Sequence, residues 1–157
     1  MELDIRELMK LPLFQGIFEP HMEELTGCIY TRVEQFPAGA EIISPEKYGE
    51  AVAVVMEGTV RVSRTDTGET LAELGPNEMF GRGFFQGDIL PNTDEEADPA
   101  PVDWKIAVTA GSDCTVLFVS HENLITPCWF SCFYHARAIS NAQMMAKKSA
   151  EKYGKLL

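Results

Sequence analysis

The chain lacks any apolar run near the roughly 18 residues that a membrane-spanning helix needs, so no segment is expected to cross a bilayer. Its start, Met1-Glu2-Leu3-Asp4, has no basic-then-apolar order of a secretory signal, which points to the cytoplasm. Basic residues are short over most of the length. Residues 1–136 hold 8 Lys/Arg against 23 Asp/Glu, and only residues 137–157 reverse the balance, with 5 against 1. A body so acidic repels phosphate backbones, because nucleic-acid affinity is largely Lys/Arg neutralisation of phosphates. DNA contact, if there is any, belongs to a domain outside this chain. The histidines are only three, His21, His121 and His135, with no His-x-His pair, and no Gly-x-Ser-x-Gly element occurs. That argues against a metal-holding cupin barrel and against a nucleophilic hydrolase, so an enzyme is not expected. No Cys-x-x-Cys pair is present; Cys28, Cys114, Cys128 and Cys132 read as reduced thiols of a cytosolic protein. Internal repeats and low-complexity tracts are also absent.

The 157 residues suit one core with an appended helix. Leu3 to Leu13 spaces leucines among charges and predicts a short amphipathic helix ending near Pro12. Glu19-Pro20 opens a second helix, with Met22, Leu25 and Cys28 expected along one side. From Tyr30 the hydrophobic period drops to two. Strands are predicted over Arg32–Phe36, Glu41–Ser44, Ala51–Met56, Thr59–Arg64, Glu69–Leu74, Trp104–Ala110 and Cys114–Ser120. Pro37-Ala38-Gly39, Glu57-Gly58, Asp66-Thr67-Gly68, Gly75-Pro76-Asn77 and Gly111-Ser112-Asp113 supply the turns. Many short strands at this spacing predict a sandwich or small barrel bracketed by helices. Ser120 is the expected cap of a further short helix.

Two stretches stand apart. Asp88 to Asp103 carries six acidic residues, no basic one and three prolines, and reads as an exposed, mobile insertion. From about Trp129 to Leu157 there is no proline and one glycine, which predicts a long helix. Ile139, Ala142, Ala146, Ser149, Tyr153 and Leu156 alternate in steps of three and four, a heptad seam expected to join two copies into a homodimer. The competing expectation is that the same stripe packs on the chain's own β-body. At the start of this segment Cys128, Cys132 and His135 fall along one helical side, but a structural zinc site wants a fourth ligand and none is in view. No metal is expected there; the cysteines read as packing beside Trp129 and Phe133.

Four fragments in this order resemble the cyclic-nucleotide-binding domain family, in its Crp/Fnr regulator branch. Leu8 to Phe14 followed by Gly16-Ile17 resembles the opening "L…PLF.G" element. Phe36 to Ile42, Val54 to Val62 and Leu74 to Gly81 resemble, in turn, the first Gly turn and strand, the "G.v.v" hairpin, and the "l.pGd.fGe" approach to the phosphate-binding cassette. The resemblance implies a mainly β fold with flanking helices, a double-stranded β-helix or jelly-roll-like β-roll over residues 1–126, and a long dimerisation helix over 127–157. It also implies a small-molecule effector and, in whole regulators, a helix-turn-helix domain after the long helix. The oxygen-sensing branch of the family carries its cysteine cluster near the N-terminus, where the first 27 residues here have none.

The family pocket uses backbone N–H groups of a Gly-containing turn, a Glu on the ribose and an Arg on the phosphate. Here the turn stands as Phe80 to Phe85, but Arg82 occupies the Glu position, and Trp104 and Lys105 stand where Arg and Ser or Thr belong. Loss of two charge-assisted contacts worth about 1.5–3 kcal/mol each lowers affinity by about two to four orders of magnitude. Cyclic AMP is therefore not expected to bind in the usual way. Gly81, Arg82, Gly83, Phe84, Trp104 and Lys105 remain the candidate ligand site, either remade for another anionic or aromatic effector or reduced to surface charge and packing around an empty pocket. The effector, and any cofactor, stays open.

Overall fold

A computed structural model describes residues 4–45, 47, 50–81, 106–126 and 133–153. Helix α1 (Ile5–Met9) starts at an Asp4 cap whose carboxylate accepts from the Arg6 N–H. A single 3₁₀ turn, Pro12–Phe14, follows, so the chain past Leu11 is a tight turn rather than an extension of α1. Helix α2 (Glu19–Cys28) has Pro20 in its first turn, where the missing N–H costs nothing. Its buried arc is Met22, Leu25, Thr26 and then Ile29, an i, i+3, i+4, i+7 set. Cys28 falls beside that arc and is exposed, contrary to the expectation that it would share the buried side. Cys114, the other described cysteine, is buried, and desolvation together with the adjacent Asp113 charge pushes its thiol up, which keeps it neutral.

Eight strands follow: β1 (Arg32–Phe36), β2 (Glu41–Ile43), β3 (Ala51–Glu57), β4 (Val60–Arg64), β5 (Thr70–Leu74), β6 (Met79–Phe80), β7 (Ile106–Ala110) and β8 (Cys114–Ser120). They form two four-stranded antiparallel sheets, β1-β8-β3-β6 and β2-β7-β4-β5. Apart from the β4–β5 hairpin, each strand passes to the opposite sheet, which winds the chain into the expected jelly-roll-like β-roll. Helix α3 (His121–Ile125) is capped by Ser120, as expected, and helix α4 (Phe133–Tyr153) closes the described chain.

Burial differs between the sheets. Strand β4 alternates, with Val60 and Val62 fully buried and Arg61 exposed, as a sheet with one wet face should. Strand β8 does not alternate: Cys114 through Val119 are all buried. The helices cover the outer face of that sheet, so its two central strands, β3 and β8, face apolar surroundings on both sides. This is the physical meaning of the unbroken apolar runs from Ala51 and from Cys114.

One end of the roll is stitched by the turn Gly111–Asp113. The Gly111 N–H donates to the Thr59 carbonyl, the Thr59 N–H to Ser112 Oγ, and the Ala38 N–H to Asp113 Oδ1. Gly58 sits inside this knot with φ +81°, where an added Cβ would strike the Asp113 carbonyl oxygen and lie 2.8 Å from Cys114 Cα. Gly39 has a similar φ of +85° but open space around it. Replacing each with alanine separates strain from collision. Gly39→Ala is expected to lose about 1 kcal/mol and Gly58→Ala at least about 3 kcal/mol. Urea unfolding of the two variants checks this; equal losses would mean that the Gly58 knot is not rigid.

Candidate functional site

The site predicted from sequence begins where β6 ends. Met79 and Phe80 pair with Val54 and Ala53 of β3, and both are buried. Gly81 follows with φ +142°, a conformation that side chains disfavour, so the chain leaves the sheet at a bend suited to glycine. Of the six candidate ligand residues, Gly81 is buried at this exit. Arg82, Gly83, Phe84, Trp104 and Lys105 lie outside the described residues, as does the acidic stretch from Asp88 to Asp103. The turn feeding β6 is pinned to β3. The Asn77 N–H donates to the Val55 carbonyl at 2.7 Å, and the Val55 N–H donates to the Glu78 carbonyl at 3.0 Å. Asn77 itself takes the left-handed conformation, φ +69°, which asparagine tolerates.

Helix α4 rests on this exit. Ser149 Oγ donates to the Met79 carbonyl at 3.3 Å, and Lys152 Nζ pairs with Glu78 Oε1 at 2.9 Å. A cavity of about 270 Å³ runs beside these contacts, lined by Pro12, Asn77, Met79, Met145 and Lys148 among others. Toward its N-terminus α4 is held by a different set. Asn141 Nδ2 donates to the carbonyls of Leu13 and Gln15, both at 2.9 Å, and Arg137 Nε donates to Gln15 at 3.3 Å. His135 Nε2 lies 2.8 Å from the Leu124 carbonyl of α3, an acceptor, so this ring nitrogen carries the hydrogen.

These contacts correct the expected seam. Ala142 and Ala146 are almost fully buried and Ser149 is 7% exposed, all within a single chain. Ile139 is half-buried and packs against the same core. The stripe therefore rests on the chain's own β-body, because its small residues let α4 approach the 3₁₀ turn and β6 closely. The side chain of Tyr153 and the whole of Leu156 lie outside the described parts. The outward face of α4 instead carries Phe133, 68% exposed, and Met144, 60% exposed, with Ala136, Ser140 and Lys147 also exposed.

His135 is buried with its Nδ1 unpartnered among the described residues, while Cys128 and Cys132 lie outside them. Among the described residues no group of three or more His, Cys, Asp or Glu is placed to hold a metal. The three histidines sit on α2, α3 and α4, not on strands.

Sequence reasoning missed Asn141 and Arg137. The only trace was an amide and a guanidinium next to an alanine stripe, which also describes an ordinary wet helix face. Asn141→Ala deprives two carbonyls of a donor and should cost about 1–3 kcal/mol. Ser149→Ala, which loses one bond, should cost about 0.5–1.5 kcal/mol. Chemical denaturation of both variants measures this; an Asn141 variant as stable as wild type would mean water replaces the clasp at no cost.

The comparisons agree with this architecture. The family model described as the cyclic nucleotide-binding domain matches residues 33–126. No curated protein matches the sequence significantly. A Geobacter metallireducens protein classed as cyclic nucleotide-binding is similar in structure, with a TM-score of 0.62 at 12% identity over 97% of this chain and 98% of that one. The catabolite activator protein of Thermus thermophilus has a TM-score of 0.54 at 25% identity over 90% of this chain, which spans 59% of that protein. The sensor domain of the transcriptional regulator DNR from Pseudomonas aeruginosa has a TM-score of 0.57 at 12% identity, over 95% and 92% of the two chains. With its β-roll, its glycine exit from β6 and a family match over more than half its length, this chain belongs to the cyclic nucleotide-binding domain family.

Proposed function

We propose that this chain is the effector-sensing and dimerising part of a Crp/Fnr-type transcription regulator, non-enzymatic and cytoplasmic, that does not take cyclic AMP in the usual way. The observation that carries the reading is the direct linkage of the β6 exit to α4 through Ser149 and Lys152. An occupant of the cassette that follows Gly81 moves the β6 exit, and α4 is bonded to that exit. Two states of α4 are what such a regulator needs, since an effector acts by favouring one of them. The likeness to the sensor domain of DNR, a transcriptional regulator, supports the assignment. DNA contact is assigned to a domain outside this chain, in keeping with its charge of −11.

The homodimer is assigned to α4, but to its outward face. Phe133, Ser140 and Met144 succeed one another in steps of seven and four, with Ala136 and Lys147 completing the stripe. Among the described residues four large apolar side chains are exposed, Phe18, Tyr30, Phe133 and Met144, and the last two share this one helix face. The ligand site keeps Gly81, Arg82, Gly83, Phe84, Trp104 and Lys105, with the charge reversal at Arg82 setting it against cyclic AMP.

Two measurements test the reading. Sedimentation equilibrium should give a dimer for wild type and a monomer for Met144→Glu, with little loss of stability because that side chain is already wet. A wild-type monomer would overturn the dimer assignment. In thermal unfolding with a panel of nucleotides and metabolites, cyclic AMP should leave the midpoint unmoved. An effector at 100 times its Kd adds about 2.7 kcal/mol, or about 5–10 °C in a domain of this size. A shift with cyclic AMP would sink the pocket reading, and silence across the panel would favour a scaffold with an empty pocket.

A further inference from the structure

Helix α4 crosses the chain entering β6 without filling the space beside it. The cavity of about 270 Å³ left there is bounded by Pro12 of the 3₁₀ turn, by the approach to β6 and by the C-terminal half of α4. Its floor is apolar and belongs to the core: Met79 is 2% exposed and Met145 8% exposed. Unbranched thioether side chains adjust to an irregular occupant and make favourable sulfur–ring contacts with aromatic groups. The volume falls below the roughly 300–1,000 Å³ of sites for drug-sized ligands. It suits a single ring with a short substituent, not a nucleotide.

The charge at this cavity runs against that of the chain. Three charged side chains border it among the described residues, Glu78, Lys148 and Lys152. Glu78 is matched by Lys152 at 2.9 Å, which leaves Lys148 as a positive excess. Lys148 is exposed and has neither an ion pair nor a hydrogen bond among the described residues, in a chain of net charge −11. Two cavities elsewhere on the roll have the opposite sign: Glu57 lines both, with Asp113 in one and Asp4 and Glu7 in the other, and no described Lys or Arg lines either. An apolar floor beside one unmatched ammonium fits an apolar body carrying one negative charge. Asn77 adds an amide donor on the β6 side. A phosphate monoester is the poorer match, because its charge of about −1.5 to −2 exceeds the single positive excess.

We propose that this cavity binds a small aromatic carboxylate, with its ring against Met79 and Met145 and its carboxylate on Lys148. An occupant so placed touches α4 and the β6 exit at once, beside the Ser149–Met79 hydrogen bond, and holds the two together. Gly81, the described residue of the cassette, does not line the cavity. The site therefore stands whether or not the cassette takes an effector.

The test titrates benzoate into the whole chain carrying ¹³C-methyl methionine and follows the methyl resonances by NMR. Benzoate should move the Met79 and Met145 methyls together and leave the exposed Met144 methyl in place. Benzyl alcohol and benzylamine, which carry the same ring without the negative charge, should bind at least about tenfold more weakly. Lys148→Gln should weaken benzoate about tenfold, Lys148→Arg should keep it, and Lys147→Gln, at an exposed neighbour that does not line the cavity, should leave it unchanged. Unfolding curves establish that each variant is folded. Failure of benzoate to move the two buried methyls would overturn the site. Equal weakening in Lys147→Gln and Lys148→Gln would reduce the effect to net charge and overturn it too, and benzyl alcohol binding as tightly as benzoate would overturn the carboxylate assignment.

Discussion

Strand β8 is paired along both edges and buried on both faces, and the rest of the molecule is arranged around that double burial. Its edges are taken by β1 and β3. Its inner face meets the second sheet, and its outer face requires a cover, which the helices supply. A buried face on both sides removes the polar/apolar alternation from β3 and β8 and leaves it only in the second sheet. The same requirement fixes where α4 can lie. A helix called in to cover a sheet spends one face on that task, and the face it has left is the one free to meet a partner.

That division explains what the sequence made legible. The strands from Arg32 to Arg64 and from Cys114 to Ser120 are written in local patterns of two or in short apolar runs, and those patterns survive into the fold almost residue for residue. The cap at Ser120 is likewise local chemistry, with its hydroxyl accepting from the Asn123 N–H. Periodicity along a helix, however, reports only that a face is buried, not against what. The stripe at Ala142, Ala146 and Ser149 has the spacing of a coiled-coil seam, and a groove in the chain's own surface satisfies that spacing equally well. What distinguishes the two is contact with the Leu13 and Gln15 carbonyls and with Met79, between 70 and 128 residues away in sequence. No window of local pattern contains that information. Cys28 makes the same point on a smaller scale: one position off the buried arc of α2 is enough to place a thiol in solvent.

The candidate site divides along similar lines. Gly81 entered the candidate site through the family resemblance, and its φ of +142° is a local demand that glycine meets. The clasp of Asn141 and Arg137 on the Leu13 and Gln15 carbonyls was not legible, because its two sides stand 122–128 residues apart and only the fold brings them together.

The bonding between β6 and α4 has a strength suited to switching. Ser149 to Met79 is one neutral hydrogen bond, worth about 0.5–1.5 kcal/mol, and the half-exposed Lys152–Glu78 pair adds about 0–1 kcal/mol after screening. Together they come to about 0.5–2.5 kcal/mol, the scale of the 1–3 kcal/mol typical of coupling between sites. Among the described residues, the fully buried apolar positions of α4 are alanines with Met145 close behind, and the larger Ile139 and Tyr134 pack on the core only partly buried. A helix fixed by large apolar side chains would resist a ligand whose differential affinity is a few kcal/mol. One fixed by small residues and directional bonds can exchange one set of contacts for another, because each bond lost at the Met79 carbonyl or at Glu78 is open to replacement by water or by a neighbouring group. The Asn141 clasp, with two bonds to the 3₁₀ turn, is the stronger attachment. In the proposed regulator, α4 therefore pivots near Asn141 and moves most at its C-terminal end, the end bonded to the β6 exit.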